Sequence, residues 1–208
     1  MTEQSNSVHS SIPLCLFPSA HWLMLTHGHA KINVNEIYLK QTYRNRYDIA
    51  GVNGRLSLTV PVEGQNGVKT AFKDIRIAGN NWRKQHVSTL RSSYGRSAYF
   101  EHYFDKLETC FSKPHTFLID LNFDALEWIR LCGLQLRLSI VDEPWEFRQG
   151  DLTYLWEPSQ IWPELSAYPQ VFSDRHPFMS GLSAIDIIMN KGPRTSEYLM
   201  QVANTPSV

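Results

Sequence analysis

The sequence predicts an α/β domain of the α+β type: a mostly antiparallel sheet with helices packed on it, in a single domain. Three observations predict it. The chain has 208 residues, enough for one sizeable core and within the usual span of one domain. Its hydrophobic fraction is 42% and its charged fraction 19%, the balance of a folded chain rather than a disordered one. The patterning also changes along the chain, from alternating apolar residues in the first third to helical spacing in the middle.

The elements follow in order. Residues 1–11 are polar and read as a disordered tail, which leaves 12–202 for the domain. Leu14 to Phe17 suits a short buried strand. Pro18-Ser19 opens a helix, with Ser19 as N-cap and Gly28 as its stop. Lys31 to Leu39 alternates Ile32, Val34, Ile37 and Leu39 around a slip, and reads as a strand with a bulge. Tyr47–Ala50 and Arg55–Val62 flank Gly51-Val52-Asn53-Gly54, and Asn-Gly between apolar runs signals a hairpin because both residues tolerate positive φ. Pro61 puts the end of the second strand at an edge. Phe72 to Ala78 alternates again, as a third antiparallel strand.

Helical spacing then takes over. Asn81 caps Trp82 to Tyr94, and Gly95 stops it. Ala98 to Phe111 carries Tyr99, Phe100, Tyr103, Phe104, Leu107 and Phe111 on one stripe, ended by Lys113-Pro114. Asn122 caps Phe123 to Cys132. Leu134 to Val141 reads as a returning strand. Residues 142–178 hold five of the eleven prolines and Trp145, Trp156 and Trp162. They read as an ordered, irregular segment, either a flap over a pocket or a surface wrap without function. Ser183 and Asp186 form an approximate capping box for AIDIIMN. Gly192-Pro193 stops that helix, and Thr195 or Ser196 starts a last short one.

Composition bounds the function. The net charge is zero, yet residues 31–96 carry twelve Lys and Arg against four Asp and Glu, a net of +8 balanced by −8 elsewhere. That asymmetry reads either as an anion-attracting face or as two segments that neutralise each other. Nucleic acid is not expected as a partner, since the chain is not basic overall and has no RNA-binding motif. Cys15, Cys110 and Cys132 are odd in number and widely spaced, which predicts a reducing, cytoplasmic setting without a disulfide framework. MTEQSNSVHSS has no Lys or Arg ahead of the first apolar stretch, so no secretory signal is expected. Ile12 to Leu25 is broken by Pro13, Pro18 and His21, so membrane insertion is not expected either. No HExxH, CxxC or GxSxG is present, and the spacing of His21, His27 and His29 is unlike that of a zinc site. GQNG (Gly64 to Gly67) lacks the Lys and the helix start of a P-loop. No metal and no cofactor is read from the residues.

Several blocks, taken in order, resemble the WbqC-like family. They are KQTYRNRYDI (Lys40 to Ile49), LTVPV (Leu58 to Val62), KDIRI (Lys73 to Ile77), NWRKQH (Asn81 to His86), SAYFEHY (Ser97 to Tyr103), IDLN (Ile119 to Asn122), YPQVF (Tyr168 to Phe172) and LSAIDIIMNKGP (Leu182 to Pro193). The resemblance runs from about Leu14 to Leu199. It departs at Asn33-Val34-Asn35-Glu36, where the family often carries an acidic pair, and at Gly181, where it often carries Asn. It implies a role in bacterial surface polysaccharide assembly, and a transferase that adds an acyl or aminoacyl group to a nucleotide-linked amino sugar. The implied partner is an anionic small molecule such as a nucleotide sugar. A non-catalytic sugar-nucleotide-binding or accessory protein is the alternative.

The densest polar cluster is Lys40, Tyr43, Arg44, Asn45 and Arg46. On extended chain Arg44 and Arg46 point the same way, and a guanidinium fork matches a phosphate. The other reading is a solvated edge with ion pairs to Glu36 or Asp48. Trp82 and His86 lie four apart and share a helix face. His86 is either a hydrogen-bonded core residue or, titrating near neutrality, a general base on the sugar amine. Lys40 or Tyr43 would then stabilise developing negative charge. Arg175 and His176, just before Pro177 in the irregular segment, could reach a pocket, although nothing in the spacing requires it. The candidate catalytic residues are therefore His86 and Lys40. The candidate substrate-binding residues are Tyr43, Arg44, Asn45, Arg46, Trp82 and Arg175.

Overall fold

A computed structural model of the chain describes residues 11–26, 30–64, 67–146 and 164–203. In chain order it contains α1 (Ala20–Leu25), β1 (Ala30–Asn33), β2 (Arg46–Gly51), β3 (Gly54–Thr59), α2 (Asn81–Tyr94), α3 (Phe100–Ser112), α4 (Leu118–Leu131), β4 (Leu138–Val141), α5 (Ala184–Lys191) and α6 (Thr195–Ala203). Short 3₁₀ turns lie at Phe72–Asp74 and Gly192–Arg194. The class is mixed helix and strand, as expected, but the sheet is not mostly antiparallel. β1 pairs in parallel with β4, and β2 pairs antiparallel with β3, in two separate two-stranded sheets.

Local chemistry explains the difference. The strand expected over 31–39 stops after Asn33, whose Oδ1 accepts the Asn35 N–H at 3.0 Å. This Asx turn competes with the ladder and bends the chain away. Ile37 then meets only Ala71, in an isolated bridge. The strand expected over 72–78 is a 3₁₀ turn that buries Phe72 against Tyr38, ring centroids 6.2 Å apart. Beyond it, Arg76 bridges Phe117 and Ile77 bridges Val62. Its two edges thus have different partners, each through a single isolated bridge, and no third strand forms. Only the last four residues of 134–141 are strand. The hairpin and three helices separate β4 from β1, the kind of long connection that parallel pairing requires.

The three central helices lie close to their expected spans. α4, however, starts at Leu118, so Asn122 is inside it rather than its cap. Asn122 is fully buried, and its Nδ2 donates to the carbonyls of Arg44 (2.9 Å) and Leu14 (3.3 Å). Asp186 is likewise no cap. It is fully buried in α5 and accepts from the Tyr94 hydroxyl (3.0 Å), the Tyr168 hydroxyl (2.7 Å) and Gln170 Nε2 (2.8 Å). Burial pushes its carboxyl above the usual range, and the three donors pull the other way. YPQVF and LSAID therefore meet at one buried carboxylate.

The core joins these layers. Phe17 packs on Tyr47, Phe111 and Trp128 at centroid distances of 5.0, 5.6 and 5.9 Å. Its φ of 43° is left-handed, a conformation that costs about 1–3 kcal/mol and is held only by surrounding packing. Burying an aromatic side chain returns roughly 1.5–3 kcal/mol. Residues 1–10, Gly28 and 147–163 lie outside the described residues, so nearly all of the expected tail and the middle of the expected flap do too. Ser11 is buried and bridges Lys31. Among the described residues, no helix is long and apolar enough to cross a membrane.

Candidate functional site

The hairpin positions the site. Its loop is Val52-Asn53, and the positive φ falls on Gly54 (φ 106°) rather than on Asn53. A Cβ on Gly51 would lie 3.1 Å from the Gly54 carbonyl oxygen and 3.3 Å from Leu56 Cβ, so a larger residue there would have to push the hairpin apart by a few tenths of an ångström. The register pairs Arg46 with Thr59, Asp48 with Ser57, and Ala50 with Arg55. Side chains alternate along a strand, so these residues share one face. Tyr47, Leu58 and Ile49 take the other and enter the core.

The polar face forms one wall of a cleft of about 730 Å³. Phe17-Pro18-Ser19, His21 of α1 and the turn Phe178 to Gly181 form the other walls. Asp48 is the hub. It is 5% exposed, and its oxygens accept from the Tyr43 hydroxyl (2.7 Å), Arg55 Nη1 (3.1 Å) and the Ser57 hydroxyl (2.5 Å). Arg46 Nη2 donates to Ser57 Oγ at 2.8 Å. Arg55 Nη2 donates to the Ser180 carbonyl at 2.5 Å, tying the hairpin to the opposite wall. Burial and the adjacent Asp48 charge raise the Tyr43 pKa, so its phenol stays protonated. Arg46 Nε is buried and has no hydrogen-bond partner among the described residues. A buried donor without a partner costs about 1–3 kcal/mol unless something else accepts from it.

The expected site residues separate into three groups. Tyr43 and Arg46 line the cleft. Lys40, Asn45 and, again, Arg46 line a smaller cavity of about 420 Å³ on the other side of Arg46. Asn45 is buried and donates through Nδ2 to the Val60 carbonyl at 2.8 Å. Arg44, Trp82, His86 and Arg175 line neither cavity. Arg44 and Arg46 do not point the same way, because the chain turns through 40–45 and becomes strand only at Arg46. Arg44 is fully buried and paired with Glu36. Arg175 is exposed and lies 3.6 Å from Asp174.

His86 is 2% exposed. Its Nδ1 lies 3.0 Å from the Tyr47 hydroxyl, and its ring packs edge-on against Trp82 and Phe111. Burial lowers its pKa to about 4, against a smaller opposing effect from a backbone hydrogen bond at Thr59. The neutral ring is therefore favoured in the fold, and its contribution is full above the unfolded value near 6.5. The contribution is lost as pH falls towards 4, a total of about 3 kcal/mol. Urea unfolding from pH 7 to pH 4 should show the parent losing about 3 kcal/mol more than His86→Phe. Equal losses would mean the ring is solvated.

Sequence reasoning did not single out His21, Asp48, Arg55 or Ser57 as site residues. Three of them have a signal, the period-2 spacing from Arg46, which becomes readable once the hairpin register is known. His21 has none. Among the described residues, no three His, Cys, Asp or Glu side chains are grouped to hold a metal ion.

Fold and site together define a mixed helix-and-strand protein with a polar, arginine-bearing cleft on the face of a β-hairpin. The model of the WbqC-like protein family matches residues 33–152, more than half of the chain, and the protein belongs to that family. The match contains the whole hairpin, Tyr43, Arg46 and Asp48. No curated protein matches, and no solved structure matches.

Proposed function

We propose that this protein is a transferase of bacterial surface polysaccharide biosynthesis, acting in the cytoplasm to add an acyl or aminoacyl group to a nucleotide-linked amino sugar. The observation that carries the reading is Arg46. Its guanidinium faces a cleft of ligand-binding size and keeps a buried Nε–H without an acceptor among the described residues. A phosphate oxygen is the natural acceptor for that donor. Family membership supports the pathway, and the free, buried thiols of Cys15, Cys110 and Cys132 support a reducing setting.

The chemistry assigned to the cleft is attack of the sugar amine on the carbonyl carbon of an activated acyl donor. The amine loses a proton as the C–N bond forms, and the leaving group departs with its electron pair. Because His86 lines neither cavity, the base role passes to His21, itself only 3% exposed but lining the cleft. Tyr43, whose O–H donates to Asp48, accepts a hydrogen bond from a sugar hydroxyl through its phenol oxygen. The test is incubation with a nucleotide-linked amino sugar and an activated acyl donor, read by mass spectrometry. The sugar should gain the acyl mass, and His21→Ala should slow the gain by about 10²–10⁴ with the fold intact. A ligand that binds without any mass gain would overturn catalysis and leave a sugar-nucleotide-binding accessory protein.

A further inference from the structure

The cleft and the smaller cavity meet at one side chain. Arg46 lines both. Its strand partner Thr59 lines the smaller cavity, and Ser57, on the same hairpin face, lines the cleft. A single polar strip therefore runs from Thr59 past Arg46 and Ser57 to Arg55. At about 3.4 Å per residue its four steps span roughly 14 Å, suited to an extended ligand rather than a compact one. The smaller cavity also holds Lys40, which has no ion pair among the described residues, and the carboxylate of Glu63. Gln41, beside Lys40, has a left-handed φ of 60°. Backbone strain of this kind at a non-glycine residue is concentrated at ligand sites.

We infer that the two cavities are the two ends of one site for a nucleoside diphosphate sugar: the amino sugar lies in the larger cleft, the nucleoside in the smaller cavity, and the diphosphate across Arg46. The inference rests on the transferase reading and deepens it by fixing which end of the substrate lies where. Arg46 and Lys40 approach the diphosphate from two sides, and the Arg46 Nε–H finds its acceptor there. Glu63 accepts from the ribose hydroxyls, so the one acidic group in the smaller cavity faces the neutral part of the nucleotide. The amine at the far end then lies beside His21.

Amide chemical-shift mapping by NMR tests the arrangement, with uridine diphosphate, deoxythymidine diphosphate, a free amino sugar and a nucleotide-linked amino sugar as probes. The diphosphates should shift Lys40 and Thr59, the free amino sugar should shift Ser57, Ser180 and Gly181, and the linked compound should shift both sets. Lys40→Ala should weaken diphosphate binding about tenfold or more, as expected for a charge-assisted hydrogen bond, and leave the free amino sugar unaffected. The arrangement is overturned if every probe shifts the same set, if neither diphosphate binds, or if Lys40→Ala binds diphosphates as the parent does. Both sets responding without acyl transfer would keep the arrangement and overturn the transferase reading alone.

Discussion

Glu36→Ala is expected to cost about 3–5 kcal/mol of folding stability. Arg44 is completely buried, and Glu36, 3% exposed, is its counter-charge. Two further guanidinium nitrogens of Arg44, Nε and Nη1, have no hydrogen-bond partner among the described residues. Removing the carboxylate therefore strands a charge that cannot be neutralised, since arginine does not deprotonate in proteins. Thermal unfolding followed by circular dichroism should show a drop in Tm on the order of 10 °C. The double replacement Glu36→Leu with Arg44→Met should recover most of the loss, because an apolar pair of similar volume carries no desolvation penalty. A single variant within 1 kcal/mol of the parent would show that Arg44 reaches water.

The second large effect is at Asp186. Asp186→Ala leaves the Tyr94 and Tyr168 hydroxyls and one Gln170 N–H buried without an acceptor, for a loss of about 3–5 kcal/mol. The consequence reaches the cleft. Gln170 pairs with both backbone groups of Met179, accepting from its N–H at 2.9 Å and donating to its carbonyl at 3.1 Å. Met179 lines the cleft. Amide exchange at Met179 should therefore accelerate in Asp186→Ala by more than global destabilisation requires. Unchanged Tm and unchanged exchange would contradict the role assigned to this carboxylate.

What was legible in the sequence was the local part. The aromatic stripe from Tyr99 to Phe111 predicted α3, because helical spacing is set by neighbours in sequence. Asn-Gly located the hairpin, although the left-handed residue is Gly54 alone. The YRNR cluster pointed to the region where Arg46 and Tyr43 line the cleft. Arg44 was misplaced because two-residue alternation holds only on extended chain, and Lys40 to Asn45 is a turn. The parallel pairing of β1 with β4 joins residues more than 100 positions apart, a contact that no local period encodes. The same is true of the cleft. His21, Asp48 and Ser180 come from three distant segments, held together by the Ser183 N–H to the Asp48 carbonyl (2.9 Å) and the Ala184 N–H to the Pro18 carbonyl (2.7 Å).

The most direct test of the central claim, that Arg46 and its cleft bind a nucleotide-linked amino sugar, is a thermal-shift titration of the parent and Arg46→Ala. A ligand at about 100 times its dissociation constant stabilises by roughly 2.7 kcal/mol, a shift on the order of 5–10 °C at this chain length. The account predicts that shift in the parent with nucleotide-linked amino sugars and its loss in a well-folded Arg46→Ala. A shift of equal size in both proteins, or none in the parent, would contradict it.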